Sequence, residues 1–237
     1  MRAFIIGSKE LSCVILETML DYGYEVLGVF SRDREPGMKT WHDLGHRSLE
    51  NLAREKGIPV YDGMKVNSNA SLELLSSLNL DLIVSCFWSE LFKETVLNIP
   101  KLGVFNIHTA LLPANRGSRP GPWAIINGDK KAGVTLHKMT QGVDDGPIVD
   151  QIAFDISNNE TAASLYQKVN ETAGELVKSS LRKFLDNSYT LTPQYSGKAS
   201  YQLRGEPFGG QVNAFWSDIK TDRFKRAMTF PPFKAYR

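Results

Sequence analysis

The 237-residue sequence is short of several things, and each shortage closes off a class of function. It has two cysteines, Cys13 and Cys86, both inside apolar runs, which argues against a disulfide framework and for buried free thiols in a reducing compartment. It has little net charge: the formal +2 gives no basis for binding nucleic acid or an anionic membrane. No segment approaches the roughly 20 apolar residues of a membrane span. The N-terminal M-R-A-F-I-I-G is too short in its apolar run for a secretory signal and reads as a first strand. The turn after it, G-S-K-E-L-S from Gly7, lacks the second and third glycines of a dinucleotide fingerprint, so a nicotinamide cofactor is disfavoured, and no P-loop occurs. His42 and His46 have the i, i+4 spacing of some zinc ligands, but Gly45 and the polar context between them favour ordinary loop histidines. A cytoplasmic protein with no metal, nucleic-acid or membrane partner is the expectation.

What is present is alternation. Short apolar runs at Ala3–Ile6, Glu25–Phe30, Ile58–Tyr61, Asp81–Phe87 and Val104–Ile107 predict strands, the fourth with the continuous apolar core that parallel sheets use. Helical spacing falls between them over 9–21, 47–57 and 70–78, and Ser89 is placed to cap a helix that ends before Pro100. Strand–helix alternation of this kind implies an α/β fold with a doubly wound, Rossmann-like, mostly parallel sheet. Residues 133–139 and 148–156 then alternate as half-buried strands. Residues 161–186 predict a long amphipathic helix with Leu165, Val169, Ala173, Leu176, Val177, Leu181 and Phe184 on one stripe. From about residue 187 the texture becomes turn-rich. The expected organisation is a main domain over 1–186 and a small C-terminal subdomain over 187–237, a β-hairpin plus a short helix near 218–229, packed on it.

The chemistry-bearing stretch is G-V-F-N-I-H-T-A-L-L-P-A-N-R-G, from Gly103 to Gly117. Asn106 and His108 are two apart, so on a strand they project to one face. A polar pair ending an apolar strand costs stability unless it is satisfied or used. Downstream, Asp144 and Asp145 stand in a glycine-bounded loop between two predicted strands, where one carboxylate can orient the imidazole and raise its basicity. His137 alternates with Thr135 and reads as structural or supporting. An amide, an imidazole and a carboxylate without an activated Ser or Cys suit direct attack by a substrate nucleophile on a carbonyl, with side chains stabilising the oxyanion.

The order N-I-H, then L-L-P-A-N-R-G, then D-D-G-P-I-V resembles the formyltransferase family that uses 10-formyltetrahydrofolate; W-A-I-I-N-G from Trp123 and G-V-T-L-H from Gly133 are also similar. The resemblance covers roughly residues 1–185. It implies that Asn106, His108 and Asp144 are the catalytic amide, imidazole and carboxylate, with Asp145 on the variable position. It implies folate contacts from Cys86, Phe87, Trp88 and Leu91 after the fourth strand, and from Gly142 and Val143 in the loop before Asp144, much of it through backbone. Phe87 and Trp88 either pack on the folate or cover the sheet edge.

Members of the family differ in the amine they formylate. The tail is about half the C-terminal barrel of methionyl-tRNA formyltransferases, glycinamide ribonucleotide formyltransferases lack such a tail, and deformylases carry an N-terminal regulatory domain. The size and the R-A-M-T-F-P-P-F stretch from Arg226 are most similar to enzymes that formylate nucleotide-linked amino sugars for surface polysaccharides such as O-antigen. The resemblance thus implies a dTDP-4-amino-4,6-dideoxyhexose or a similar acceptor, with Arg116 and Gly117 at the sugar nucleotide. It also implies a homodimer through the tail. Arg116 as a loop brace, tail aromatics as core and a formyltetrahydrofolate-hydrolysing activity are the alternatives at this point.

Overall fold

The apolar runs become strands because parallel strands flanked by helices are buried on both faces and tolerate no polar side chain in their centres. The computed structural model describes residues 1–32 and 47–230. Its first half alternates β1 (Arg2–Gly7), α1 (Lys9–Asp21), β2 (Glu25–Ser31), α2 (Leu49–Glu55), β3 (Val60–Asp62), α3 (Asn69–Ser77), β4 (Leu82–Cys86), α4 (Glu94–Leu97) and β5 (Gly103–His108). Then follow β6 (Arg116–Gly117), α5 (Pro120–Asn127), β7 (Lys131–Lys138), β8 (Ile148–Asp155) and α6 (Ala162–Leu185). The tail adds β9 (Tyr201–Gln202) and α7 (Asp218–Ala227).

Seven strands form one sheet in the order β3-β2-β1-β4-β5-β7-β8. The first five are parallel; β7 runs antiparallel to β5, and β8 antiparallel to β7. The sheet is therefore the mixed, mostly parallel, doubly wound one that the alternation predicts. On one face, Ile5, Val84, Phe105 and Ile107 pack against Leu11 and Ile15 of α1 and against Val169, Leu176 and Phe184 of α6. On the other, Phe4, Ile6, Ile83 and Val104 pack against Leu75 of α3 and Val96 of α4. Every residue of the predicted α6 stripe is buried.

Three local expectations are corrected. Ser89 caps nothing: α4 begins at Glu94 with Lys93 as its N-terminal flank. The segment before it is held non-helical from the side, because Asn67 donates to the Leu91 carbonyl and accepts from the Lys93 amide, while Glu90 accepts from the Val66 amide. The stretch 120–127, left without a predicted element, is α5, started by two prolines in its first turn. The tail forms no hairpin among the described residues. Its strand β9 instead pairs in parallel with β6, and Ile148 exchanges both backbone hydrogen bonds with Thr192.

The tail is fastened at its far end by hydrophobic burial. Phe224, Ala227 and Met228 of the α7 region share a cluster with Ile125, Ile126 and Leu165. Phe224 is fully buried, with the rings of Trp216 and Phe208 at 5.1 and 6.2 Å. Phe224→Ala is expected to cost about 3–5 kcal/mol, the range for removing a buried Phe. Equilibrium urea unfolding measures it; a loss below about 1 kcal/mol would mean that the tail does not dock through this ring.

Candidate active site

Strand alternation delivers the polar pair as the sequence requires. Phe105 and Ile107 of β5 face the α1/α6 layer and Val104 the opposite one, so Asn106 and His108 leave on the Val104 side. Because β5 is flanked by β4 and β7, register sets their neighbours: Asn106 lies between Ser85 and His137, and His108 opposite Thr135. His137 thereby enters the site, a placement that the antiparallel pairing of β5 with β7 creates and that the separate strands do not reveal.

Asp144 joins these side chains. It stands in the left-handed region, φ 49°, which Asp adopts more readily than most non-glycine residues. Its Oδ2 accepts from the Gly117 amide at 2.8 Å and lies 3.5 Å from His108 Nδ1. Its Oδ1 accepts from Asn106 Nδ2 at 3.4 Å and lies 3.4 Å from His137 Nε2. Gly117 must be glycine for this contact: its φ is +92°, and a Cβ would collide with the Gln202 carbonyl oxygen. Asp145 points elsewhere, to the Thr140 hydroxyl.

The proton inventory follows from fixed acceptors. His108 Nε2 is 2.8 Å from the Asn115 carbonyl oxygen, which only accepts, so Nε2 carries the hydrogen and Nδ1 is the basic nitrogen. Burial pushes the His108 imidazole below its ordinary range; Asp144 and the Asn115 carbonyl oppose this, and His137 adds to it. For Asp144, burial alone would raise the carboxyl, but His108, His137 and the Gly117 amide outweigh it and hold it well below the usual carboxylate range. Near neutral pH the pair is therefore a neutral imidazole beside an ionised carboxylate. A proton arriving at Nδ1 lands on the side where Asp144 stabilises it. The hydroxyl opposite His108, that of Thr135, donates to the Ala110 carbonyl oxygen at 2.6 Å and accepts from the Leu112 amide and Gln151, so it is no nucleophile.

The other expected contacts divide. Arg116 is buried; its Nε and Nη2 donate to Gln194 Oε1 at 3.0 and 2.7 Å, and Nη1 donates to the Tyr201 hydroxyl. This is the bracing arrangement, and the guanidinium is committed to the tail rather than presented to a phosphate. Cys86 is fully buried, its Sγ 3.0 Å from the Ser12 hydroxyl, and burial pushes the thiol up to about 12. Any contact it makes with a ligand is through backbone. Phe87 packs on the α1/α6 cluster under Lys9, and Trp88 on the α3 side under the Arg32 guanidinium. The Trp88 indole nitrogen is buried without a hydrogen-bond partner among the described residues, a donor left for something else. Leu91 and Val143 are exposed, and the Gly142 amide donates to Thr140. Gln141, three residues before Asp144, borders a cleft of about 340 Å³ that is also lined by Leu97, Pro100, Gly103, Lys138 and Met139; Phe87, Trp88 and Leu91 do not line it. His42 and His46 lie outside the described residues. Among the described residues no cluster of His, Cys, Asp and Glu is built to hold a metal ion, and no helix is long and apolar enough to cross a membrane.

Sequence comparison matches residues 11–181 to the family model described as formyl transferase. Among solved structures, an N-formyltransferase from Helicobacter canadensis, in complex with folinic acid and dTDP-3-aminofucose, is 25% identical at a TM-score of 0.80, with 96% of this chain and 80% of that one covered. A 4-N formyltransferase from Francisella tularensis is 22% identical at a TM-score of 0.79, covering 99% and 90%. A glycinamide ribonucleotide transformylase from Symbiobacterium toebii is 23% identical at a TM-score of 0.66, covering 82% and 94%.

The buried imidazole makes stability depend on pH with a definite sign. His108 binds fewer protons folded than unfolded below about pH 6.5, the unfolded value, so stability is present above that pH and lost as pH falls through it. Asp144, depressed in the fold, adds its own loss only below about pH 4. His108→Gln is expected to flatten the stability–pH slope between about pH 7 and 5, a slope of at most about 1.4 kcal/mol per pH unit for one group. Urea unfolding at stepped pH reads it, and an unchanged slope would mean that His108 is not buried neutral.

Proposed function

Because the chain belongs to the formyl transferase family, we propose that it moves a formyl group from 10-formyltetrahydrofolate to the primary amine of a nucleotide-linked amino sugar. The preferred acceptor class is a dTDP-4-amino-4,6-dideoxyhexose, and the product serves surface polysaccharide such as O-antigen. The observation that carries this proposal is the Asp144 carboxylate, ionised and shared between His108, His137, Asn106 and the Gly117 amide at the end of β5. Such a group moves protons and stabilises charge without itself attacking a carbonyl, which is what transfer between two bound substrates needs. The Helicobacter structure, solved with dTDP-3-aminofucose, supports a dTDP-linked amino sugar without choosing between the 3- and 4-amino positions, and the Francisella 4-N formyltransferase shares the fold.

The amine attacks the formyl carbon as its new C–N bond forms. The carbonyl oxygen becomes an oxyanion, towards which Asn106 turns an Nδ2 hydrogen. His108 takes the amine proton at Nδ1, where Asp144 holds the imidazolium. The bond from the formyl carbon to N10 then breaks, and N10 leaves with that proton as tetrahydrofolate. The cleft beside Gln141, in the loop that leads to Asp144, is the feature that suits the folate. The role of Arg116 in this scheme is to hold the acceptor-side loop and not to bind phosphate.

We place the enzyme in the cytoplasm, in keeping with its two buried free thiols, and as a homodimer through the tail, where Leu203, Phe215 and Ile219 are 85%, 96% and 67% exposed.

With 10-formyltetrahydrofolate and a panel of dTDP-, UDP- and GDP-linked 3- and 4-amino sugars, mass spectrometry is expected to show one acceptor gaining a formyl group in place of hydrogen. His108→Ala and Asp144→Ala are each expected to slow this by at least about 10²-fold. Formylation of methionyl-tRNA with every sugar untouched, or formate release without an acceptor, would overturn the proposal. Sedimentation equilibrium is expected to give a dimer that Phe215→Asp dissociates; a monomeric parent protein would remove the dimer.

A further inference from the structure

The family match stops at residue 181, yet a side chain beyond it reaches the centre of the site. From residue 190 to 198 the chain is exposed at every position except Gln194. The paired backbone hydrogen bonds of Thr192 with Ile148, both 2.8 Å, aim Gln194 inward. Its Nε2 donates to the Asp144 carbonyl oxygen at 2.8 Å and to the Gly146 carbonyl oxygen at 2.7 Å. Its Oε1 receives Arg116 Nε and Nη2. These partners fix which end of the amide is which, since carbonyl oxygens only accept and the guanidinium only donates.

We propose that Gln194 is a positioning residue for Asp144: it ties the backbone on both sides of the Asp144–Gly146 turn to Arg116 and so sets where the carboxylate stands relative to His108. The turn needs such a tie. Asp144 is held at φ 49°, and Gly146 is pressed so close to the Lys138 carbonyl that no Cβ fits. Both ends of the Asp144–His108 contact are thereby referenced to the tail. Asp144 is held through Gln194. His108 is held through the Asn115 carbonyl, in a residue whose amide donates to Ser200 Oγ at 2.8 Å and whose side chain accepts from Gln202 at 2.7 Å. The proposal rests on the formyltransferase reading of this site and adds to it a part contributed from outside the matched region.

Gln194→Glu is the decisive variant, because it keeps an acceptor for Arg116 while turning an oxygen towards the Asp144 and Gly146 carbonyls. The expected result is an unfolding midpoint close to the parent's, kcat lowered about 10-fold to 10²-fold and KM for the folate within about twofold. Gln194→Met, which removes both sets of bonds, is expected to lower kcat as much and to lower the midpoint as well. A second measurement needs no substrate. In NMR titration of the histidine rings, Asp144→Asn is expected to move the His108 titration to lower pH, and Gln194→Met, which adds no charge of its own, to move it part of the way. Parent-like kcat in Gln194→Glu and a parent-like His108 titration in Gln194→Met, with Asp144→Asn shifted, would overturn the positioning role and leave the site reading standing. A His108 titration indifferent to Asp144→Asn would bring down the site reading and this proposal with it.

Discussion

One ionised carboxylate in a nearly closed space organises this molecule. Asp144 is half-buried, its side chain 16% exposed, and an unpaired charge so far withdrawn from water would be costly. It stays charged because two donors reach it, the Gly117 amide from the Arg116–Gly117 strand and Asn106 Nδ2 from β5, while the His108 and His137 rings lie 3.5 and 3.4 Å away, where a proton taken up by either would pair with it. Each comes from a different register or loop, so the carboxylate is satisfied only when the sheet, the Gly103–Gly117 segment and the 140–147 loop are all in place. The same convergence makes His108 useful. Burial keeps it neutral and ready to accept, and Asp144 stands where the proton would arrive.

The sheet explains why this point in the fold can bear such a site. The parallel strands β1, β4 and β5 are apolar on both faces over most of their length, and in β4 and β5 polarity enters at Ser85, Asn106 and His108, towards the carboxyl ends where open α/β sheets bind ligands. Adding β7 antiparallel to β5 brings His137 alongside Asn106 and Thr135 alongside His108. Thr135 is then spent on the Ala110 carbonyl and the Leu112 amide, which braces the loop that leaves β5. The polar row thus contains one group that braces, one that supports and two that remain for chemistry.

Much of this was legible in the sequence, and what was not has a common cause. The stripe from Leu165 to Phe184 specified α6 because a helix's burial depends on its own spacing. Asn106 and His108 were readable as a same-face pair because strand alternation is equally local. The resemblance prefers Asp144 to Asp145, and in the structure the Asp144 carboxylate faces His108 while the Asp145 carboxylate faces Thr140. The misses were non-local. Ser89 has the sequence context of a cap, but Asn67 and Glu90 hold that segment from a distant loop. The tail's strand found its partner in Arg116–Gly117, more than 80 residues away. Arg116 looked like a phosphate ligand because a guanidinium beside a glycine suits one, and its burial against Gln194 and Tyr201 is invisible without the pairing of β6 with β9.

That pairing changes how acceptor choice and chemistry are related. If the tail only closed a binding pocket, it could vary with the acceptor while the reacting groups stayed fixed by the sheet. Here the loop at residues 112–118 and the loop at 140–147 meet through tail backbone and side chains: Ser200 and Gln202 hold Asn115 to Ser118, and Gln194 holds Asp144 to Gly146. The carbonyl that orients His108 belongs to Asn115, and the amide that anchors Asp144 belongs to Gly117. An altered tail therefore moves the imidazole and the carboxylate as well as the wall of the acceptor side. A displacement of about 1 Å between reacting groups can cost about 10²-fold in rate, so under the proposed reading tail and site are constrained to change together through the turn around Asp144.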